Sequence, residues 1–146
     1  MLDTLAATLT TPQGLLAGPW LADGPGKHSR VLDILPQGQG WVELMKLAPG
    51  TRIPLHRHTG EVHAYNLQGS RVLSDGRTIR QGEYVFEPSG NVDWWEASGE
   101  QELVVFVVVK GTVEYLRADG TVDRVITGET IQRLCDEHAL DAPRKA

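Results

Sequence analysis

His56 and His58 stand two residues apart in the run GTRIPLHRHTGEVHAYNLQG, from Gly50 to Gly69. Residues i and i+2 of an extended strand project to one face, so both imidazoles enter the same space. Neutral imidazole is a common metal ligand, and two rings converging from one strand make half of a preorganised site. His63 follows in the same run, so three of the five histidines fall within eight residues. The chemistry this spacing points to is capture of a divalent ion. A polar strand edge carrying incidental histidines is the alternative.

A second stretch, GEYVFEPSGNVDWW, runs from Gly82 to Trp95. Together the two stretches resemble the paired sequence motifs of the cupin superfamily. Gly50, His56, His58 and Gly69 match the first motif; Gly82, Pro88 and Gly90 match the second. More narrowly, HRHTGEVHAYNLQG followed by GEYVFEPSG resembles the bacterial group that includes 2,4′-dihydroxyacetophenone dioxygenase and acetylacetone-cleaving dioxygenase, over residues 40–140. The resemblance implies an all-β cupin barrel (double-stranded β-helix, jelly roll). It also implies Fe(II)- and O₂-dependent cleavage of a carbon–carbon bond next to a carbonyl.

The chain departs from the pattern twice. Asp93 occupies the place of the last histidine of the second motif. A carboxylate there would give two histidines and one carboxylate, a facial set that suits non-haem Fe(II); a turn residue with no ligand role is the alternative. The glutamate of the first motif would fall at Val62 or His63, and neither is Glu. His63 shares its strand face with Tyr65 and Leu67, so an inward His63 is a candidate third nitrogen, with Asp93 then orienting a ligand or water. Glu61 points to the other face. The candidate metal ligands are therefore His56, His58, Asp93 and His63. Fe(II) is the leading ion, with Zn, Mn or Ni as alternatives.

Tyr65, Tyr84, Phe86 and Trp95 gather around the two motifs and are candidates for an apolar substrate pocket. Ordinary core filling is the competing role for Tyr84 and Phe86. Arg71, Arg77 and Arg80 lie on the intervening hairpin, where one of them could meet a substrate oxyanion.

These residues need rigid strands behind them. From Arg30 onward, short β-prone runs such as VLDIL and WVELMKLA alternate with turn signals. Asp75-Gly76, Ser98-Gly99 and Asp119-Gly120 read as hairpin turns. With 146 residues, the chain is expected to be a single cupin domain: arm 1–27, barrel 28–126 and a short C-terminal helix 127–142. The opening MLDTLAATL reads as a short helix. LVVFVVV, from Leu103 to Val109, does not alternate, so both its faces should be covered, one by the core and one by the arm or a second subunit. A homodimer follows from that. In GETIQRLCDEHAL, Ile131, Leu134, Cys135 and His138 share a helical face, with Cys135 as core filling and His138 at the helix end.

Composition narrows the partners. A net charge of −5 with scattered basic residues disfavours nucleic acid and anionic membrane. The longest apolar run is too short to span a bilayer. One cysteine precludes an internal disulfide, and with no signal-like opening segment the expected compartment is the cytoplasm. The expected partners are a small-molecule carbonyl substrate and O₂. Two other functions compete with a dioxygenase: a non-catalytic sensor or store of metal or small molecule, and a Zn or Ni Lewis-acid isomerase or hydrolase.

Overall fold

A computed structural model describes residues 7–9, 11 and 16–140, so most of the expected N-terminal helix lies outside the described residues. Glycine-punctuated runs form β1 (Leu21–Ala22), β2 (Lys27–Leu35), β3 (Gly40–Leu47), β4 (Arg52–His58), β5 (Val62–Gln68) and β6 (Ser70–Leu73). They continue as β7 (Thr78–Ile79), β8 (Tyr84–Glu87), β9 (Val92–Ser98), β10 (Leu103–Lys110), β11 (Val113–Leu116) and β12 (Val122–Ile126). The helix α1 (Gly128–Glu137) follows β12.

The strands form two six-stranded antiparallel sheets, ordered β1-β2-β3-β10-β5-β8 and β12-β11-β4-β9-β6-β7. Consecutive strands such as β4 and β5 lie in different sheets, so the chain crosses over repeatedly, as a jelly roll requires. The inner faces carry Trp41, Met45, Leu47, Ile53, Val62, Ala64, Trp95, Leu103, Val105 and Val107. Alternation along each strand builds this core, because every second side chain points inward.

Gly69 shows why the first motif ends in glycine. Its φ is +72°, and a Cβ there would lie 2.8 Å from the Glu102 carbonyl oxygen, so the β5–β6 corner runs against β10 at a distance only glycine allows.

β10 sits in the middle of its sheet between β3 and β5. Its inward residues Leu103, Val105, Val107 and Val109 are buried, and outward Val104 is buried as well. The arm reaches this outer face: the Lys46 ammonium lies 4.4 Å from the centre of the Trp20 ring. The helix begins with a reciprocal cap in which Thr127 and Thr130 exchange backbone and side-chain hydrogen bonds. It turns Ile131 and Cys135 onto the barrel, both buried. His138 lies at the helix end, with Nδ1 2.9 Å from the Leu134 carbonyl oxygen.

Candidate metal centre and its cavity

Pro54 interrupts β4. It has no N–H to give the ladder, and the β4–β9 register shifts between Ile53 and His56. The carbonyl of Pro54 is then 2.7 Å from His56 Nδ1 and accepts its proton. This fixes the tautomer, because a donating Nδ1–H leaves the Nε2 lone pair bare. His56 is 3% exposed and His58 6%, with ring centres 4.9 Å apart and planes nearly perpendicular. The second motif holds the end of β4 in place. The His58 N–H donates to the Asn91 carbonyl at 3.0 Å, and the Gly90 N–H donates to the His58 carbonyl at 2.7 Å.

Both rings open onto a cavity of about 570 Å³ inside the barrel, walled by apolar side chains such as Trp41, Trp95 and Val105. Glu87 also lines it, with Oε1 3.9 Å from His58 Nε2. Burial lowers the pKa of His58 to about 3, helped by the charges of His56 and Arg71. Burial likewise lowers His56, against the pull of the Pro54 carbonyl, Glu87 and Asp93. Both imidazoles are therefore neutral near pH 7, the form that ligates a metal.

The other sequence-derived candidates are placed differently. Asp93 is buried at 8% exposure and pairs across the ladder with His56, but its Oδ1 accepts hydrogen bonds from the Ser74 N–H, at 3.2 Å, and from the Ser74 hydroxyl. His63 does not face the cavity. On β5 the inward residues are Val62, Ala64 and Asn66, so His63, Tyr65 and Leu67 lie on the outer face. There His63 Nδ1 is 2.6 Å from the Tyr84 hydroxyl, with the two rings stacked. Tyr84 and Phe86 share that outer face on β8, whose inward residues are Val85 and Glu87. Three of the four expected pocket aromatics are thus corrected to surface positions, and Trp95 alone of the four lines the cavity. The period-2 rule identifies which residues share a face; the opposite face of β5 holds the smaller Val62 and Ala64 that fit the barrel interior.

Six charged cavity residues escaped the sequence reading: Glu87, Glu43, Lys27, Asp23, Arg52 and Arg124. Glu87 shares a face with Val85 by simple alternation, and Glu43 sits at an inward position of WVELMKLA, so both carried a readable signal. Burial raises Glu43 to about 7, with Lys27 opposing. Burial also works against the Lys27 ammonium, but Tyr115, Asp23 and Glu43 together hold it above the ordinary lysine range. Of the three hairpin arginines, Arg77 pairs with Asp75 on the surface and Arg80 is exposed, whereas Arg71 is 2% exposed and lines the cavity. Its guanidinium lies 4.6 Å from the centre of the Trp95 ring.

Two antiparallel sheets closed over a buried His-x-His strand define a cupin. The chain belongs to the ChrR Cupin-like domain family, whose model matches residues 15–114. In structure it is similar to an RmlC-like cupin protein from Ralstonia eutropha, with TM-score 0.79 and 23% identity over 97% of this chain and 96% of that one. It is similar to the acetylacetone dioxygenase of Acinetobacter johnsonii, with TM-score 0.76 and 16% identity over 88% and 90% of the two chains. It is also similar to a chain from the complex of Rhodobacter sphaeroides SigE with the anti-sigma ChrR, with TM-score 0.56 and 19% identity over 65% of this chain and 51% of that one. No curated protein matches it in sequence. Among the described residues, no helix is long and apolar enough to cross a membrane.

Proposed function

We propose that the protein is a metal-dependent dioxygenase that cleaves a carbon–carbon bond adjacent to a carbonyl in a small diketone or hydroxyketone. The observation that carries the metal is the spacing at the end of β4. His58 Nε2 and Glu87 Oε1 are 3.9 Å apart, too far for a hydrogen bond. Neighbouring ligands on one ion, with bonds of about 2.1 Å, stand about 3.0–3.4 Å apart, so a closing movement of under about 1 Å brings both groups onto a shared ion. Together with the bare Nε2 of His56, these groups would hold a divalent ion after that movement, since among the described residues no three His, Cys, Asp or Glu side chains already converge on one point. Two nitrogens and a carboxylate suit Fe(II), and the reaction class comes from the resemblance of the two motifs to the dioxygenase group.

When bound, the ion supplies Lewis-acid stabilisation of an enolate oxygen and access to O₂ chemistry. The chain supplies the rest. Trp41, Trp95 and the valines of β10 give the cavity apolar walls, which strengthen charge interactions beside them. Glu43, poised near neutrality, is the cavity's proton acceptor for the carbon acid of a diketone.

A second reading, binding of metal or a small molecule without turnover, is favoured by one observation. The family model that matches residues 15–114 is the ChrR Cupin-like domain, and ChrR is described in the SigE complex as an anti-sigma rather than as an enzyme. Anaerobic purification followed by iron loading, metal analysis and O₂ uptake with acetylacetone separates the two. One iron per chain with diketone-dependent O₂ consumption is expected; bound metal with no uptake across a panel of diketones and hydroxyketones replaces the enzyme by the sensor.

A further inference from the structure

Arg71 is not explained by a metal and a neutral diketone. It projects from β6 into the barrel, and its Nε and Nη2 atoms are buried with no hydrogen-bond acceptor. A buried guanidinium with open N–H groups is expensive, because each has given up water for nothing. The two nearby carboxylates are engaged elsewhere. Asp93 Oδ1 accepts from Ser74, Glu87 Oε1 accepts from the Asn91 side-chain amide at 2.8 Å, and neither carboxylate accepts from Nε or Nη2 of Arg71. The Trp95 ring packs against the guanidinium and fixes its plane, but offers no in-plane acceptor. Nε and Nη2 lie on the same edge of the guanidinium, so together they form the side-on fork that grips both oxygens of one carboxylate.

We propose that Arg71 anchors a carboxylate on the substrate, so that the site takes acidic dicarbonyl or hydroxyketo compounds in preference to neutral ones. This deepens, and rests on, the reading of the cavity as the substrate site of a metal-dependent enzyme. The anchor and the β4 histidines line one cavity, so a short acid can present its carboxylate to Arg71 and its keto oxygens to the histidine pair.

The test is calorimetric titration of the full chain, metal-free and iron-loaded under nitrogen. The probes are acetylpyruvate, a β-dicarbonyl bearing a carboxylate, and acetylacetone, its neutral counterpart. The acid is expected to bind roughly ten- to a hundredfold tighter than the neutral compound, in both forms of the protein. Arg71→Gln should erase that ratio, and Arg71→Lys, which keeps the charge but loses the fork, should retain only part of it. Equal affinities in the unmodified protein overturn the proposal without recourse to any variant. A ratio that survives Arg71→Gln but disappears in Arg124→Gln overturns it too, because the anion would then sit by Arg124. Metal content of the same samples keeps the two readings apart. Iron uptake without acid preference removes the anchor and leaves the metal, whereas acid preference without iron uptake keeps the anchor and removes the metal. Binding of neither iron nor either compound removes both.

Discussion

The ring nitrogens of His56 and His58 are withdrawn from water alike, but they are held differently. The Pro54 carbonyl holds His56 Nδ1, whereas His58 Nδ1 is buried without a hydrogen-bond partner and its Nε2 stands 3.9 Å from Glu87 Oε1. If the ion sits between these groups, His56→Ala and Glu87→Ala should each lower iron content to a small fraction of one per chain after dialysis. Asp93→Ala should keep the iron and lose roughly 0.5–1.5 kcal/mol of stability, the net worth of the lost hydrogen bonds, because exposed Ser74 can turn its freed donors to water. The reverse pattern, iron lost with Asp93 and kept without Glu87, makes Asp93 the third ligand. Titration gives a second test. His58 falls from an ordinary 6.5 to about 3 in the fold. Between those values the unfolded chain takes up a proton that the fold refuses, so metal-free stability drops as pH falls through that window. Glu43 acts oppositely: its value near 7 exceeds its ordinary 4.5, the fold keeps a proton that the unfolded chain releases, and stability drops as pH rises from 4.5 to 7. Glu43→Gln should therefore raise Tm by on the order of 5 °C at pH 8 and by little at pH 5. An equal gain at both pH values would show that burial does not govern Glu43. The His-x-His pair was legible in the sequence because two residues on one strand need no tertiary knowledge. Glu87 was hidden because its role depends on β8 and β4 meeting across the barrel.

At the scale of elements, the glycines do two different jobs. Gly90 has φ +87°, and a Cβ added there would meet nothing within 4 Å, so its requirement is conformational alone. Gly90→Ala should then lower stability by about 1–2 kcal/mol, read as a shifted urea midpoint with an unchanged slope. Because the Gly90 N–H holds the His58 carbonyl, weaker metal retention should accompany it. Gly40 is different: a Cβ there would overlap the Val109 carbonyl oxygen, so Gly40→Ala should prevent β3 and β10 from pairing and leave little folded protein. Similar midpoints for the two variants would refute this distinction. Turn signals such as Asp75-Gly76 and Asp119-Gly120 were legible because positive φ is a local demand, and both glycines adopt it. The outward turn of His63, Tyr65, Tyr84 and Phe86 was not, since alternation is symmetric until a second sheet decides which face is enclosed.

For the whole molecule, that reversal moves the sticky surface. The apolar run of β10 suggests a partner subunit over its second face, but its position between β3 and β5, with the arm nearby, already buries Val104. The apolar exposure lies instead toward the β8 edge, where Tyr84 is 59% and Phe86 48% exposed beside half-exposed Tyr65 and Leu67. β8 ends its sheet, so among the described residues its outer ladder groups meet no strand. A second copy related by a two-fold axis would cover both liabilities at once, β8 against β8, with each protomer giving the same patch it receives. We therefore expect a homodimer in sedimentation at micromolar concentration. Phe86→Glu places a charge on the outer face, away from the cavity that Glu87 lines, and should shift the protein to monomer while iron content stays unchanged. A protein already monomeric at that concentration, or a Phe86→Glu variant that stays dimeric, would place the interface elsewhere or remove it.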